Sequence, residues 1–176
     1  MIPKSEAALT GRVEASQSPP LWATLTATVC GIGNLRPGPG TWGSAVTVVL
    51  WWLVARQIPA RGQPFVVIGI ALFVIAIGIP AATRVARATS SKDPQFIVID
   101  EVAGQLIALI AAPLTWKCVL TAFILFRGFD ILKPPPLKGL ERLPDGSGIV
   151  MDDVGAGLYA LAAMQLLLHF GILTHW

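Results

Sequence analysis

The chain carries only ten carboxylates, and their placement gives the first clue to chemistry. Glu6 and Glu14 fall in a polar stretch at the start. Of the other eight, Asp100, Glu101, Asp130, Asp152 and Asp153 stand directly at the edges of apolar segments. An ionisable group at a membrane boundary is costly unless it is paired, hydrated or bound to a cation. Two acidic pairs sit in similar blocks, Ile99-Asp-Glu-Val-Ala-Gly-Gln-Leu106 and Met151-Asp-Asp-Val-Gly-Ala-Gly-Leu158. In each, small residues follow one turn later, and small residues let helices approach closely in a membrane. Contact of Ala103/Gly104 with Gly155/Ala156 would bring Asp100 near Asp152. Acids are also favoured at helix starts by capping and by the helix dipole, but two pairs plus Asp130 exceed what capping requires.

The third block is Phe126-Arg-Gly-Phe-Asp-Ile-Leu-Lys-Pro134. At helical spacing Arg127, Asp130 and Lys133 stand at i, i+3 and i+6, with the carboxylate between two cations. Carboxylates together with substrate phosphate suit Mg²⁺. Arg and Lys clamp phosphate oxygens. The Gly- and Pro-rich stretch 31–44 offers free backbone N–H groups to an anion, and Thr41 and Ser44 within it are the candidate hydroxyl contacts to phosphate. Together these groups describe metal-assisted hydrolysis of a phosphate ester at a membrane surface, with Asp100, Asp130 and Asp152 as the catalytic carboxylates. All five edge carboxylates are candidate metal ligands. Cys30-Gly-Ile-Gly-Asn-Leu-Arg36 matches the Cys-x5-Arg loop of cysteine phosphatases, but Pro37 follows the Arg and no strand pattern surrounds it.

The elements that must position these groups are apolar. The chain has 176 residues, of which 54% are hydrophobic and only 13% charged, with mean hydropathy +0.68. A globule this small cannot hide so much apolar surface, so lipid is the expected solvent for the remainder. That excludes a disordered protein and a solvated repeat. A net charge of +3 without a basic run gives no footing for nucleic acid. Residues 1–20 read as a flexible tail without a signal peptide, and 21–176 as one membrane-embedded domain. Residues 62–83 are uncharged and about 33 Å long as a helix, enough to span. Apolar stretches also cover 21–30, 42–55, 102–116, 118–126 and 154–176, while strand alternation is absent. The expectation is an all-α bundle of about five to six helices, some short or re-entrant. The four glycines and two prolines before Thr41 argue against a regular helix there.

Residues 102–126 fit either one span or a hairpin turning at Pro113-Leu-Thr-Trp116. A hairpin puts ten of the 13 Lys and Arg residues on one face and only Arg56, Arg61 and Lys117 on the other, as the positive-inside rule expects. All five edge carboxylates then share the cytoplasmic face with the Gly-rich loop.

Four blocks closely resemble the phosphatidylglycerophosphatase A family of bacterial membrane phosphatases. They are Pro39-Gly-Thr-Trp-Gly-Ser44, Val98-Ile-Asp-Glu-Val-Ala-Gly104, Phe126-Arg-Gly-Phe-Asp-Ile-Leu-Lys-Pro-Pro-Pro136 and Gly148-Ile-Val-Met-Asp-Asp-Val-Gly-Ala-Gly157. The resemblance implies an all-helical, multi-pass protein of the cytoplasmic membrane. It also implies Mg²⁺-dependent hydrolysis of phosphatidylglycerophosphate to phosphatidylglycerol and inorganic phosphate. It carries over Asp100, Glu101, Asp130, Asp152 and Asp153, with Arg127 and Lys133 beside them. The competing class is a small non-enzymatic transporter or assembly subunit, which would set carboxylates along a path at membrane depth.

Overall fold

A computed structural model describes residues 18–173. Most of the tail expected over 1–20 lies outside the described residues. Seven α-helices and one short 3-10 turn follow, and no strand occurs among the described residues. The helices are α1 (Leu21–Ala27), α2 (Pro39–Ala55), α3 (Gln63–Thr89), α4 (Ile99–Ala108), α5 (Trp116–Leu132), α6 (Leu137–Leu140) and α7 (Asp145–His169). The all-α expectation holds; the helix count exceeds it because the one-turn α6 forms after the proline run.

Two helices, α3 and α7, are long and apolar enough to cross a membrane. Their outer surfaces support that solvent. Phe65, Leu72 and Phe73 on α3 and Leu158 and Leu166 on α7 are more than half exposed. Such a surface suits hydrocarbon, and the architecture is that of a small helical membrane protein.

Helix α2 starts earlier than the glycine and proline content of 31–44 suggests. Gly38 takes the left-handed conformation as N-cap (φ 65°), and Pro39 opens the first turn. Proline is tolerated there because its missing N–H would have no helical partner. Gly40, Thr41 and Ser44 are therefore helical, not loop.

The segment 102–126 does turn back. Helix α4 ends at Ala108 and α5 begins at Trp116. The Thr115 hydroxyl caps α5 by accepting from the Cys118 N–H at 3.2 Å, a cap that contributes about 1 kcal/mol. Helix α4 has ten residues, about 15 Å, too short to span by itself. It is almost entirely buried and packs against α2, α3, α5 and α7.

The α4–α7 crossing is set by absent side chains. A Cβ on Gly157 would lie 2.4 Å from the Gly104 carbonyl oxygen, and one on Gly104 would lie 2.5 Å from the Asp153 carbonyl oxygen. The small-residue contact thus uses Gly104 and Gly157. Gly155 instead faces Leu137 and Leu140 of α6, so the pairing of Gly104 with Gly155 is corrected by about half a turn.

Candidate active site

Asp100 and Glu101 stand in the first turn of α4, where the dipole favours acids. Asp153 differs. Helix α7 starts at Asp145, so Asp152 and Asp153 lie two turns inside it and no capping role accounts for them. Oxygens of Asp100, Glu101 and Asp153 all lie within 4.8 Å of one another. Asp100 and Asp153 are buried, at 8% and 4% exposure. Asp100 Oδ1, Glu101 Oε2 and Asp153 Oδ2 are buried without a hydrogen-bond partner.

Arg127 of α5 closes one side. Its Nη1 is 2.8 Å from Asp130 and 3.9 Å from Glu101, and its Nε has no partner. Asp130 thus holds the guanidinium and leaves donors facing the acids. The first turn of α2 closes another side, since a Cβ on Gly40 would fall 1.9 Å from Glu101 Oε1 and 3.1 Å from Arg127 Nη1. Only glycine lets this helix start approach so closely.

Buried polar atoms in native proteins are nearly always satisfied, so each exception needs an explanation. Here all of them among the described residues belong to Asp100, Glu101, Gln105, Arg127 and Asp153. Three hard oxygen donors at this spacing fit a small divalent cation, and the unpartnered Arg127 Nε–H fits a phosphoryl oxygen. The acids gather in one place and do not trace a path through the molecule.

A family profile for phosphatidylglycerophosphatase A matches residues 25–168. The chain belongs to the phosphatidylglycerophosphatase A family. A relative of that name from Haemophilus influenzae is 36% identical over 145 residues, covering 78% of this chain and 83% of its own. One from Escherichia coli is 31% identical over 140 residues, covering 78% and 76%. A Bacteroides thetaiotaomicron protein named "Putative phosphatidylinositol-3-phosphatase" is 32% identical over 145 residues, covering 81% and 91%. No solved structure matches. The chain is accordingly a phosphatase, and its family acts on a phosphate monoester.

Within this family member, the predicted residues divide into two groups. Asp100, Glu101, Asp153, Asp130 and Arg127 come together as described. Asp152 points elsewhere, to Lys133 Nζ at 2.7 Å, and Lys133 also donates to Glu141. Lys133 is the left-handed C-cap of α5 (φ 45°), which turns it away from Asp130. The two cations of the 126–134 block therefore serve different acids. Thr41 is exposed on the first turn of α2. Ser44 is fully buried, and its hydroxyl donates to the Gly40 carbonyl at 3.0 Å, so it is tied into its own helix. Cys30 is exposed between helical segments, with no strand before it among the described residues.

Asp152 and Glu141, the two partners of Lys133, line a cleft of about 140 Å³ together with Lys92, Asp93 and Asp145. Burial works against the Lys133 charge, but its hydrogen bonds to Asp152 and Glu141 outweigh that and hold the ammonium above its usual range. The hydrogen bond from Lys133 lowers the Glu141 carboxyl below its usual range. A lowered folded-state pKa contributes stability above the unfolded value, about 4.3 for Glu. That stability is lost as pH falls through the folded value. Glu141→Gln is therefore expected to cost under about 1 kcal/mol at pH 7, since Glu141 is 42% exposed. Thermal unfolding of the two proteins from pH 7 to pH 3.5 should converge at the acid end; a constant offset would show that the ion pair is not the cause.

Proposed function

We propose that the chain hydrolyses the terminal phosphate of phosphatidylglycerophosphate, giving phosphatidylglycerol and inorganic phosphate, with Mg²⁺ as cofactor. The observation that carries this is the set of three carboxylates on α4 and α7, Asp100 and Asp153 buried and Glu101 nearly so, with unpartnered oxygens, next to an arginine whose Nε is unpartnered. Asp100, Glu101 and Asp153 would hold the cation. When bound, it supplies Lewis acidity toward the phosphoryl group and a lowered pKa for an attacking water.

The protein's own groups do the rest. Arg127, oriented by Asp130, binds a phosphoryl oxygen. The Thr41 hydroxyl, on the first turn of α2, binds another at the favourable end of the helix dipole. Close packing of α2, α4, α5 and α7 keeps bulk water from the deeper side. In the reaction a water oxygen bonds to phosphorus while the bond from phosphorus to the glycerol oxygen breaks. Lys133 with Asp152 supports the rim of the site at the neighbouring cleft.

Phosphate release by purified protein tests the proposal. Turnover of phosphatidylglycerophosphate is expected with Mg²⁺, with a loss of at least about a hundredfold in excess EDTA. Undiminished release in EDTA would remove the cation from the mechanism. Phosphatidylinositol 3-phosphate belongs in the same assay because of the Bacteroides relative's name; faster turnover of that lipid would reassign the headgroup.

The proposal includes a site that opens to the cytoplasm in a multi-pass protein of the bacterial inner membrane. A shared cation needs all its ligands within about 2.1 Å, so they cannot be divided across a core about 30 Å thick. Single cysteines at positions 92, 115 and 138 in a cysteine-free background provide the check. Positions 92 and 138 should label only from the cytoplasmic side and 115 only from the outside. Labelling of 92 and 138 from opposite sides would break the site apart.

A further inference from the structure

Helices α2 and α5 meet at the site, where a Cβ on Gly40 would lie 3.1 Å from Arg127 Nη1. Away from that contact they border a cavity of about 420 Å³, lined only by Ala, Val, Leu, Phe and Trp residues of these two helices. Ala45, Val48 and Trp52 line it from α2, and Phe123, Leu120 and Trp116 from α5. Its size is that of a ligand pocket, and it has no role in the chemistry above.

Spacing ties this cavity to the groups that hold the phosphoryl oxygens. Thr41, Ala45, Val48 and Trp52 stand at i, i+4, i+7 and i+11, one face of α2. Counted back from Arg127, Phe123, Leu120 and Trp116 stand at the same three intervals, one face of α5. Both walls therefore continue the faces that carry Thr41 and Arg127. The lining runs from Ala45 to Leu53 and from Trp116 to Phe123, about 11–12 Å along each helix at 1.5 Å per residue. One leaflet of a hydrocarbon core about 30 Å thick is about 15 Å deep, so the cavity matches most of the depth of one lipid tail. About one helical turn separates it from Thr41 and Arg127, which leaves room for the rest of a headgroup. Val49, Leu53 and Leu120 in its walls are about half exposed, so the groove is open sideways to the bilayer.

We propose that the groove between α2 and α5 holds one acyl chain of the substrate lipid, so that the same two helices fix the chain and the phosphoryl group. The proposal rests on the phosphatase reading of the site. Moving a tail from the bilayer into the groove gains little, because lipid tails are as apolar as leucine. The gain is orientation: the anchored chain sets the reach of the headgroup toward Arg127 and the acids, and a misplacement of about 1 Å can cost about a hundredfold in rate.

The test uses the purified full chain in mixed micelles with Mg²⁺. The probe is a phosphonate analogue of phosphatidylglycerophosphate, with a methylene in place of the scissile ester oxygen and a diazirine midway along one acyl chain. Phosphatidylcholine with the same labelled chain is the reference. On illumination the phosphonate lipid should label 45–53 and 116–123, whereas the reference should label Leu72 and Phe73 on the outer face of α3 as readily as the groove. Val49→Trp and Leu120→Trp fill the groove from positions 57% and 46% exposed. Each should lower that labelling, and phosphate release from the dioleoyl lipid, by at least about tenfold. Leu72→Trp should change neither. The same labelling pattern from both lipids, or full phosphate release by a folded groove-filled variant, would overturn the acyl site while leaving the phosphatase reading standing. Absence of label in the groove from either lipid would give the groove to protein, such as a second copy of the chain, and would also overturn it. Failure of the wild-type protein to release phosphate from the lipid would overturn the phosphatase reading and the acyl site together. Two filled variants are specified so that misfolding of one still leaves a decisive measurement.

Discussion

Asp153→Asn is expected to lower phosphate release by at least about a hundredfold, with the protein still inserted and folded. Its carboxylate is 4% exposed, has an oxygen without a partner, and meets oxygens of Asp100 and Glu101 within 4.8 Å. A hundredfold loss is about 2.7 kcal/mol of transition-state stabilisation at 1.36 kcal/mol per factor of ten. Asp100→Asn should fall in the same range. Because the two carboxylates act as one site, the double variant should be little worse than the worse single variant; additive losses would mean two separate functions. Asp152→Asn provides the contrast, since Asp152 is engaged with Lys133 at 2.7 Å. Its loss should be clearly smaller than that of Asp153→Asn, and the reverse ranking would return the cation to the Asp152 side of α7.

Gly157→Ala should force the α4–α7 crossing apart. The added Cβ would lie 2.4 Å from the Gly104 carbonyl oxygen and 3.0 Å from the Gly104 Cα. Both obstacles are backbone, so no side chain can swing aside and the two helices must separate. Overpacking of this kind costs about 1–3 kcal/mol, against a helix-propensity gain of about 1 kcal/mol for replacing glycine. We expect a net loss of about 1 kcal/mol, or about 2–4 °C in unfolding temperature for a chain of this size. Activity should fall as well, because Asp153 lies one turn before Gly157 and Glu101 one turn before Gly104. Gly69→Ala on α3 is the matched control. A Cβ there meets nothing within 4 Å, so the same substitution should keep turnover and raise stability by up to about 1 kcal/mol. Equal losses at 69 and 157 would show that the helix crossing is not the cause.

The sequence by itself determined the helical class and the family. Low charge and long apolar runs leave few alternatives to helices in lipid, and four motif blocks in order across most of the chain point to one enzyme family. It also pointed to the reversal near Pro113, because Pro113 interrupts an otherwise apolar stretch and a hairpin there puts ten of the 13 basic residues on one face. What it could not determine was phase. Adjacent acids on a helix point about 100° apart, so Asp152 and Asp153 serve different neighbours, and the blocks alone do not say which member of a pair turns inward. The tertiary structure decided this through the Gly104–Gly157 approach, which turns Asp153 toward Asp100 and Glu101 and leaves Asp152 to Lys133. The same contact explains why similar blocks were misleading: one pair opens α4, whereas the other lies two turns inside α7, because α7 begins at Asp145. Burial was equally out of reach. In sequence Ser44 reads as a hydroxyl contact to phosphate and Gln105 as an ordinary polar residue, and only packing shows that Ser44 is satisfied by its own helix while Gln105 is sealed in without a partner.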